Sequence, residues 1–453
     1  MQTMGEMRKT AFMVGAALLL AALALVTAPR QKMPDAFFDQ GETFFPDFTD
    51  PNTAATLEVV SWDENSGGAV PFKVTFQGGR WTIPSHYDYP ADGKDRLART
   101  AASLIGITKD DFRTDNAADY EACGVVDPLD AGHVGAGGRG TRITIKGENG
   151  VVLADLILGK AFEGREGFRL VRVPDEKRVY GSRVSVDVST TFKDWIESDL
   201  MFIDKDEIDR LVLKDYSIDE STGRLDMRDE VTLSREEDEW KMAKVPAGKE
   251  ADSYKINTLV RTIDELAIED VRPKPEGLTA SLSRASGGVS ITQSDMISLQ
   301  EHGFYFARDG RLVSNEGEVL ARTADGVLYT LRFGEVAVGT AVAAAQAGTQ
   351  LAGENRYLMI SASFDPSLFP EPARPSSRSF ENKADSVLTL EERRQKDIQA
   401  EHDRWQARID AGQSRADELN DRFAKWYYVI SGASFDALHL KRSDLLRDKP
   451  KQS

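Results

Sequence analysis

The sequence predicts an α+β protein: two tandem related units of antiparallel sheet plus helix, after an N-terminal transmembrane helix and before a C-terminal helical tail. Three observations carry that expectation. The stretch "DDFR", Asp110 to Arg113, returns as "EDVR", Glu269 to Arg272, and each copy ends 32 residues after a tryptophan, Trp81 or Trp240. Each tryptophan closes a run of short β-like segments and is followed by a helical pattern. An uncharged run, Ala11 to Ala28, lies near the start of the chain.

As a helix that run rises roughly 27 Å, close to the hydrocarbon thickness of a bilayer. Arg8 and Lys9 precede it. A cleaved signal peptide is the rival reading. Val26 and Ala28 suit the cleavage rule, but Pro29 would follow the cut, so an uncleaved anchor is preferred, with the bulk of the chain extracytoplasmic. No cysteine closes the run, which excludes a lipoprotein anchor.

After an irregular lead-in, "ATLEVVSWD", "FKVTF" and "RWTIP" read as strands separated by "ENSGG" and "QGG" turns. A helix is expected from about Asp92 to Ile107, with Leu97, Ala101, Leu104 and Ile105 on one face and Asp92 as its cap. The echo is "DRLVLKDY", "EVTLSR" and "EWKMA", then a helix with Ile256, Leu259, Val260, Ile263 and Leu266 on one face. A gap-free alignment of Trp81 with Trp240 pairs Leu97 with Ile256, Leu104 with Ile263 and Arg113 with Arg272. Both units continue with strands. In the first these are "TRITIKGE", "VVLADLILGK" and "FRLVRVPDEKRVYGSR", then a short helix near "FKDWIESDLM". In the second they are "GVSITQS", the long run from Gly303 to Val336, and "NRYLMISASF", with "LILGK" and "LRFGEV" corresponding. An Ala/Gly-rich loop precedes the last of these strands. The expected division is an anchor at 1–29, units at 54–200 and 201–365, a Pro/Ser-rich linker at 366–388 and a helical tail at 389–453. In that tail Gly412 interrupts the helix, and Leu419, Phe423, Trp426, Tyr427 and Ile430 form one stripe.

The net charge of −17 argues against nucleic acid, which calls for a basic patch. Cys123 is the only cysteine, so neither an internal disulfide nor a cysteine zinc cluster can form; an incidental, semi-buried thiol is expected. The histidines His86, His133, His302, His402 and His439 show no paired ligand spacing. His86 is expected to be an exposed loop residue. "GAGGRG", Gly135 to Gly140, precedes a strand rather than a helix, so its amides cannot cradle a phosphate as nucleotide fingerprints do. Asp204, Asp206 and Asp209 lack the glycine and glutamate of a calcium loop. No nucleophile elbow or Cys–His pair is found. No catalytic, cofactor-binding or metal residue is therefore assigned, and no cofactor is expected.

The unit built on Trp81, Pro84, Leu97 and Leu104, with "CGVVDP" at Cys123 to Pro128, "LILGK" at Leu156 to Lys160 and Trp195, resembles the bacterial domain-of-unknown-function 4340 family. The stretch "RFAKWYYVISGASFDALHL" is similar to the end of its long members. The resemblance implies a single-pass protein of the bacterial cytoplasmic membrane, with protein partners among gliding-type ABC transporter components. It implies a non-catalytic accessory or interaction subunit; the family has no established activity, so no site residue follows from it. Two alternatives remain: a glycan- or peptide-binding module using Trp62, Tyr87 and Tyr89, or a carboxylate-dependent hydrolase.

Overall fold

The computed structural model describes residues 39–449 apart from 65–66, 187, 198, 220–221, 284–290 and 338–353, with Met13 and Ala17 as isolated positions. The rest of the expected anchor, and the Ala/Gly-rich loop almost entirely, lie outside the described residues. Among the described residues no helix is long and apolar enough to cross a membrane.

The protein is mixed α+β, and its named strand pairs are antiparallel. The first half runs β1 (Ala54–Asp63), β2 (Gly68–Gln77), β3 (Arg80–Ile83), β4 (Tyr89–Pro90), α1 (Lys94–Leu104), β5 (Asp111–Thr114), α2 (Tyr120–Cys123), β6 (Thr141–Gly147), β7 (Val152–Ala161), β8 (Phe168–Arg172) and β9 (Val179–Arg183). Its sheet has the order β4-β3-β2-β1-β6-β7-β8-β9-β5. The second half runs β10 (Ile208–Asp219), β11 (Arg224–Glu236), β12 (Glu239–Met242), β13 (Lys249–Ala251), α3 (Ser253–Asp264), β14 (Asp270–Pro273), α4 (Glu276–Leu282), α5 (Gln293–Glu301), β15 (Phe304–Phe306) and β16 (Leu312–Ser314). It continues through β17 (Glu318–Thr323), β18 (Val327–Val336), β19 (Arg356–Phe364), α6 (Leu390–Ala424), β20 (Trp426–Ile430), α7 (Gly432–Leu438) and β21 (Leu446–Asp448). Its main sheet has the order β12-β11-β10-β17-β18-β19-β20-β14.

The two orders run in step. In each, a meander lies at one edge, its first strand pairs with a strand later in the chain, β6 or β17, and the short strand after α1 or α3 closes the far edge. "DFR" and "DVR" fall on those closing strands, β5 and β14, and Trp81 and Trp240 on the third strand of each meander.

Period-two alternation builds both inner faces. Val59 stands opposite Phe72 and Leu57 opposite Val74; Leu211 faces Leu233 and Leu213 faces Val231. These residues, with Leu97, Ala101 and Leu104 of α1 and Ile256, Leu259 and Ile263 of α3, belong to one continuous core. Tyr89 meets Trp426 at 5.1 Å between ring centroids, and Arg422 Nη2 donates to the carbonyl of Asp199 at 3.0 Å, so the halves form one body.

Several expectations need correction. Asp92 does not cap α1: the cap is Gly93, without a side-chain bond. A Cβ there would lie 3.1 Å from Val74 and 3.6 Å from Trp81, so a capping side chain would be crowded. The expected helix near Phe192 is a single 3₁₀ turn, Phe192–Trp195. Gln293 begins α5, where a strand was expected, while the first three residues of "GVSITQS" lie outside the described residues. Gly412 does not interrupt the tail helix. α6 runs straight through it, because a Cβ would come within 2.1 Å of the Phe364 ring and only glycine lets the helix lie on β19. Trp426–Ile430 is a buried strand between β19 and β14, not part of a helical tail, so the last segment completes the second sheet.

Candidate functional site

A hollow is built by the segment joining β5 to β6. The Asn116 side chain accepts from the Ala118 amide and caps a 3₁₀ turn that leads into α2. α2 ends at Gly124, whose φ of +72° is the left-handed conformation glycine adopts without strain. A Cβ on Gly124 would lie 2.8 Å from Lys160, and one on Gly159 would lie 2.6 Å from the Cys123 carbonyl. The "CG" turn therefore lies flat on the "GK" of β7, seating Cys123 and Val125 among Ile157, Leu170 and Val179.

Beyond it the glycine-rich loop winds around one side chain. Arg139 donates to the carbonyls of Gly135, Asp127, Pro128, Asp130 and His133 at 2.6–3.1 Å, and lies 3.9 Å over the Trp62 ring. Arg142 is spent on carboxylates, with Asp155 at 2.6 and 3.0 Å and Asp127 at 2.9 Å. Those charge-assisted bonds raise its pKa.

The cavity has a volume of about 540 Å³, with Tyr120, Asp127, Asp130, His133, Arg142 and Arg172 on its walls and Leu129 at its edge. Arg172, the last residue of β8, is only 6% exposed. Its Nε donates to the Val125 carbonyl at 3.2 Å, and its Nη1 to those of Val173, Pro174 and Glu176 at 3.4, 2.7 and 3.2 Å. The Tyr120 ring covers it at 4.5 Å. Burial pulls the Arg172 pKa down and pushes that of Tyr120 up.

Sequence reasoning passed over Arg172 and Lys274. Lys274 is buried, and its Nζ donates to the carbonyls of Phe423 and Trp426, where α6 ends. Burial lowers its pKa to about 7. "PKPE" carries no signal of this, since lysine beside proline reads as a solvated turn.

Of the residues weighed from the sequence, His133 lines the cavity, with Val126 and Asp127 of "CGVVDP"; Gly135 to Gly140 stand behind it rather than on its wall. Cys123 is buried and its pKa is raised by burial, so the thiolate is disfavoured. His86 is not an exposed loop residue. It stacks on Phe192 at 4.6 Å with Asp270 at 4.0 Å, wedged between the halves, and burial lowers its pKa. His302 stacks on Tyr427 at 4.0 Å, its Nδ1 2.6 Å from the Ser298 carbonyl oxygen; His439 stacks on Phe435, and His402 meets Glu371 at 3.2 Å. Asp204, Asp206 and Asp209 do not converge: Asp204 accepts the Asp206 amide, while Asp209 pairs with Arg322. Among the described residues no group of three or more His, Cys, Asp or Glu could hold a metal ion. Of the proposed aromatic contacts Tyr89 is buried and Trp62 lies under Arg139, leaving Tyr87 at the surface. The stripe of Phe423, Trp426, Tyr427 and Ile430 is core.

The second half repeats the turn. α5 ends at His302 and Gly303 (φ +83°), and a Cβ on Gly334 of β18 would lie 2.1 Å from the His302 carbonyl. There the hollow is about 100 Å³ and lined mainly by Ile218, Met296, Leu299, Phe304 and Phe306.

The chain matches no curated protein and no solved structure. Residues 81–281, from the third strand of the first meander into α4, match the family model described as Domain of unknown function (DUF4340).

Proposed function

We propose that the protein is a non-catalytic subunit of the bacterial envelope, held in the cytoplasmic membrane by Ala11 to Ala28 and working by binding beside an ABC-type transport or gliding-like complex. Its two sheet-plus-helix units are read as copies of one ancestral unit, a reading supported by their matching strand orders and by the paired glycine turns at Gly124 and Gly303. One observation carries the non-catalytic reading. The single thiol, Cys123, is buried, and three of the histidines, His86, His302 and His439, are stacked on aromatic rings. An activated nucleophile needs a base within hydrogen-bond reach, itself oriented by a third group. The test is affinity recovery of the full-length chain from detergent-solubilised membranes, with mass spectrometry of the proteins that accompany it. Integral transport components should co-purify. Recovery of the chain alone, or from the soluble fraction, overturns the proposal.

The cavity favours a second reading, in which the extracytoplasmic part binds a small molecule or peptide. A concave site of this volume with a few convergent polar groups is the usual form of a ligand pocket.

A further inference from the structure

We infer that the cavity beside α2 binds a carboxylate-bearing ligand that also carries an amine, of the size of an amino acid or short peptide, with Arg172 as the residue that holds the carboxylate. The inference rests on the reading of the protein as a binding module and names the ligand class such a module takes.

Arg172 and Arg142 stand on one cavity wall with different fates. Arg142 spends its donors on Asp127 and Asp155. Arg172 is the more buried, yet its only hydrogen bonds among the described residues go to neutral carbonyls, through Nε and Nη1. Among those residues no carboxylate is hydrogen-bonded to it, Asp127 and Asp130 acting on it only through their charge, and Nη2 makes no hydrogen bond there. A guanidinium stays charged at any physiological pH, and buried charge is tolerated when an anion meets it. The free edge of a fixed guanidinium suits a carboxylate oxygen.

The rest of the wall selects which anion. Asp130 accepts the Gly132 amide through Oδ1 at 2.8 Å, leaving Oδ2 open. His133 Nε2 donates to the Gly137 carbonyl oxygen at 2.8 Å, so in the neutral ring Nδ1 is an acceptor. Open acceptors beside a cation with no hydrogen-bonded carboxylate match a ligand with both a carboxylate and N–H donors. The same carboxylates repel a phosphate dianion. The five bonds of Arg139 hold the loop in place before any ligand arrives, which lowers the entropy cost of binding.

The experiment is calorimetric titration of the purified full-length chain with glycylglycine, acetate, methylamine and inorganic phosphate. Glycylglycine should bind with Kd of about 1 mM or tighter, acetate about tenfold more weakly, and phosphate and methylamine not measurably. Arg172→Lys, which keeps the charge and loses the fork, should weaken glycylglycine about tenfold or more. Because Arg172 is buried and that variant can fail to fold, two surface variants accompany it. Asp130→Asn should weaken glycylglycine severalfold and leave acetate unchanged, and Leu129→Trp, at an edge residue 55% exposed, should obstruct both. The inference is overturned by no saturable glycylglycine binding at about 10 mM, by phosphate binding best, or by binding that Asp130→Asn and Leu129→Trp both leave unchanged. Lost partner recovery with intact titration overturns the envelope reading alone; lost titration with intact recovery overturns this inference alone.

Discussion

Replacing Asn420 with alanine should destabilise the protein by about 2–4 kcal/mol, an effect worked from two hydrogen bonds. Residue Ala362 of β19 pairs with Tyr329 of β18 on one side. On the other side β20 reaches only Leu358, so the backbone of Ala362 has no strand neighbour there. Asn420, reaching down from α6 and 4% exposed, fills the gap: Oδ1 accepts the Ala362 amide at 2.8 Å and Nδ2 donates to its carbonyl at 2.7 Å. Alanine leaves a buried donor and a buried acceptor unpaired, each costing about 1–3 kcal/mol, with partial relief if water enters. The assay is urea unfolding followed by tryptophan fluorescence, with the free energy read from the midpoint shift at constant slope. Asn420→Leu separates hydrogen bonding from packing, because it restores volume without polar atoms. Both variants should lose comparable stability, and the Ala362 amide should exchange faster in both. A loss below about 0.5 kcal/mol for alanine, the usual scatter for surface changes, refutes the reasoning; so does a leucine variant as stable as wild type.

Gly412→Ala should destabilise by about 1–3 kcal/mol although alanine is the better helix former, because its Cβ would press on the Phe364 ring; a more stable variant in urea refutes the close-packing account. Lys274 titrates near 7 in the fold and near 10.5 when unfolded, so between those values the unfolded chain binds the extra proton and stability rises with pH. Wild type should therefore gain a few kcal/mol over Lys274→Met between about pH 7 and pH 10; parallel pH curves refute it. The buried Cys123 thiol should react with a thiol reagent only as fast as the fold opens, and rapid stoichiometric labelling of native protein contradicts that.

Burial geometry decides how much of the fold was legible in the sequence. The meanders and their helices could be read because one face of each is buried, which leaves period-two and helical patterns in the sequence. β20 could not: all of "WYYVI" is buried, so there is no alternation, and its apolar residues continue the spacing of the helix before it. α5 was missed because Met296 and Ile297 are exposed while Asp295 is buried as part of a capping box, which scrambles the periodic signal. Gly412 was misread, and Asp92 was taken for the cap in place of Gly93, for one reason. Sequence shows that a residue is glycine, but not whether a turn or a neighbouring ring requires it. The cavity left least trace of all. In "FRLVRVP" Arg172 shares a strand face with Leu170, but an arginine there gives no sign of where its charged head is held. Its burial arises from the Pro174–Glu176 turn and from Tyr120, brought across from a distant segment.

If the two units are copies of one ancestor, the two glycine turns carry a common geometry to different ends. Gly124 over Gly159 and Gly303 over Gly334 each bring a helix end down onto a sheet strand, with no room for a Cβ between them. The residues after each turn decide whether space remains. After Gly303 come Phe304, Tyr305 and Phe306, whose rings pack into the site, so the hollow nearly closes and the half gains core. After Gly124 comes a stretch rich in glycine and aspartate, with little side-chain volume to fill its own interior. It holds its shape through the carbonyl bonds to Arg139 and stays open around a guanidinium with no carboxylate hydrogen-bonded to it among the described residues. A protein selected only for a stable platform would gain by filling the first site as it fills the second, since each buried aromatic ring adds a few kcal/mol. The open, polar version therefore carries a cost in stability, which is what the proposed binding role would require of it.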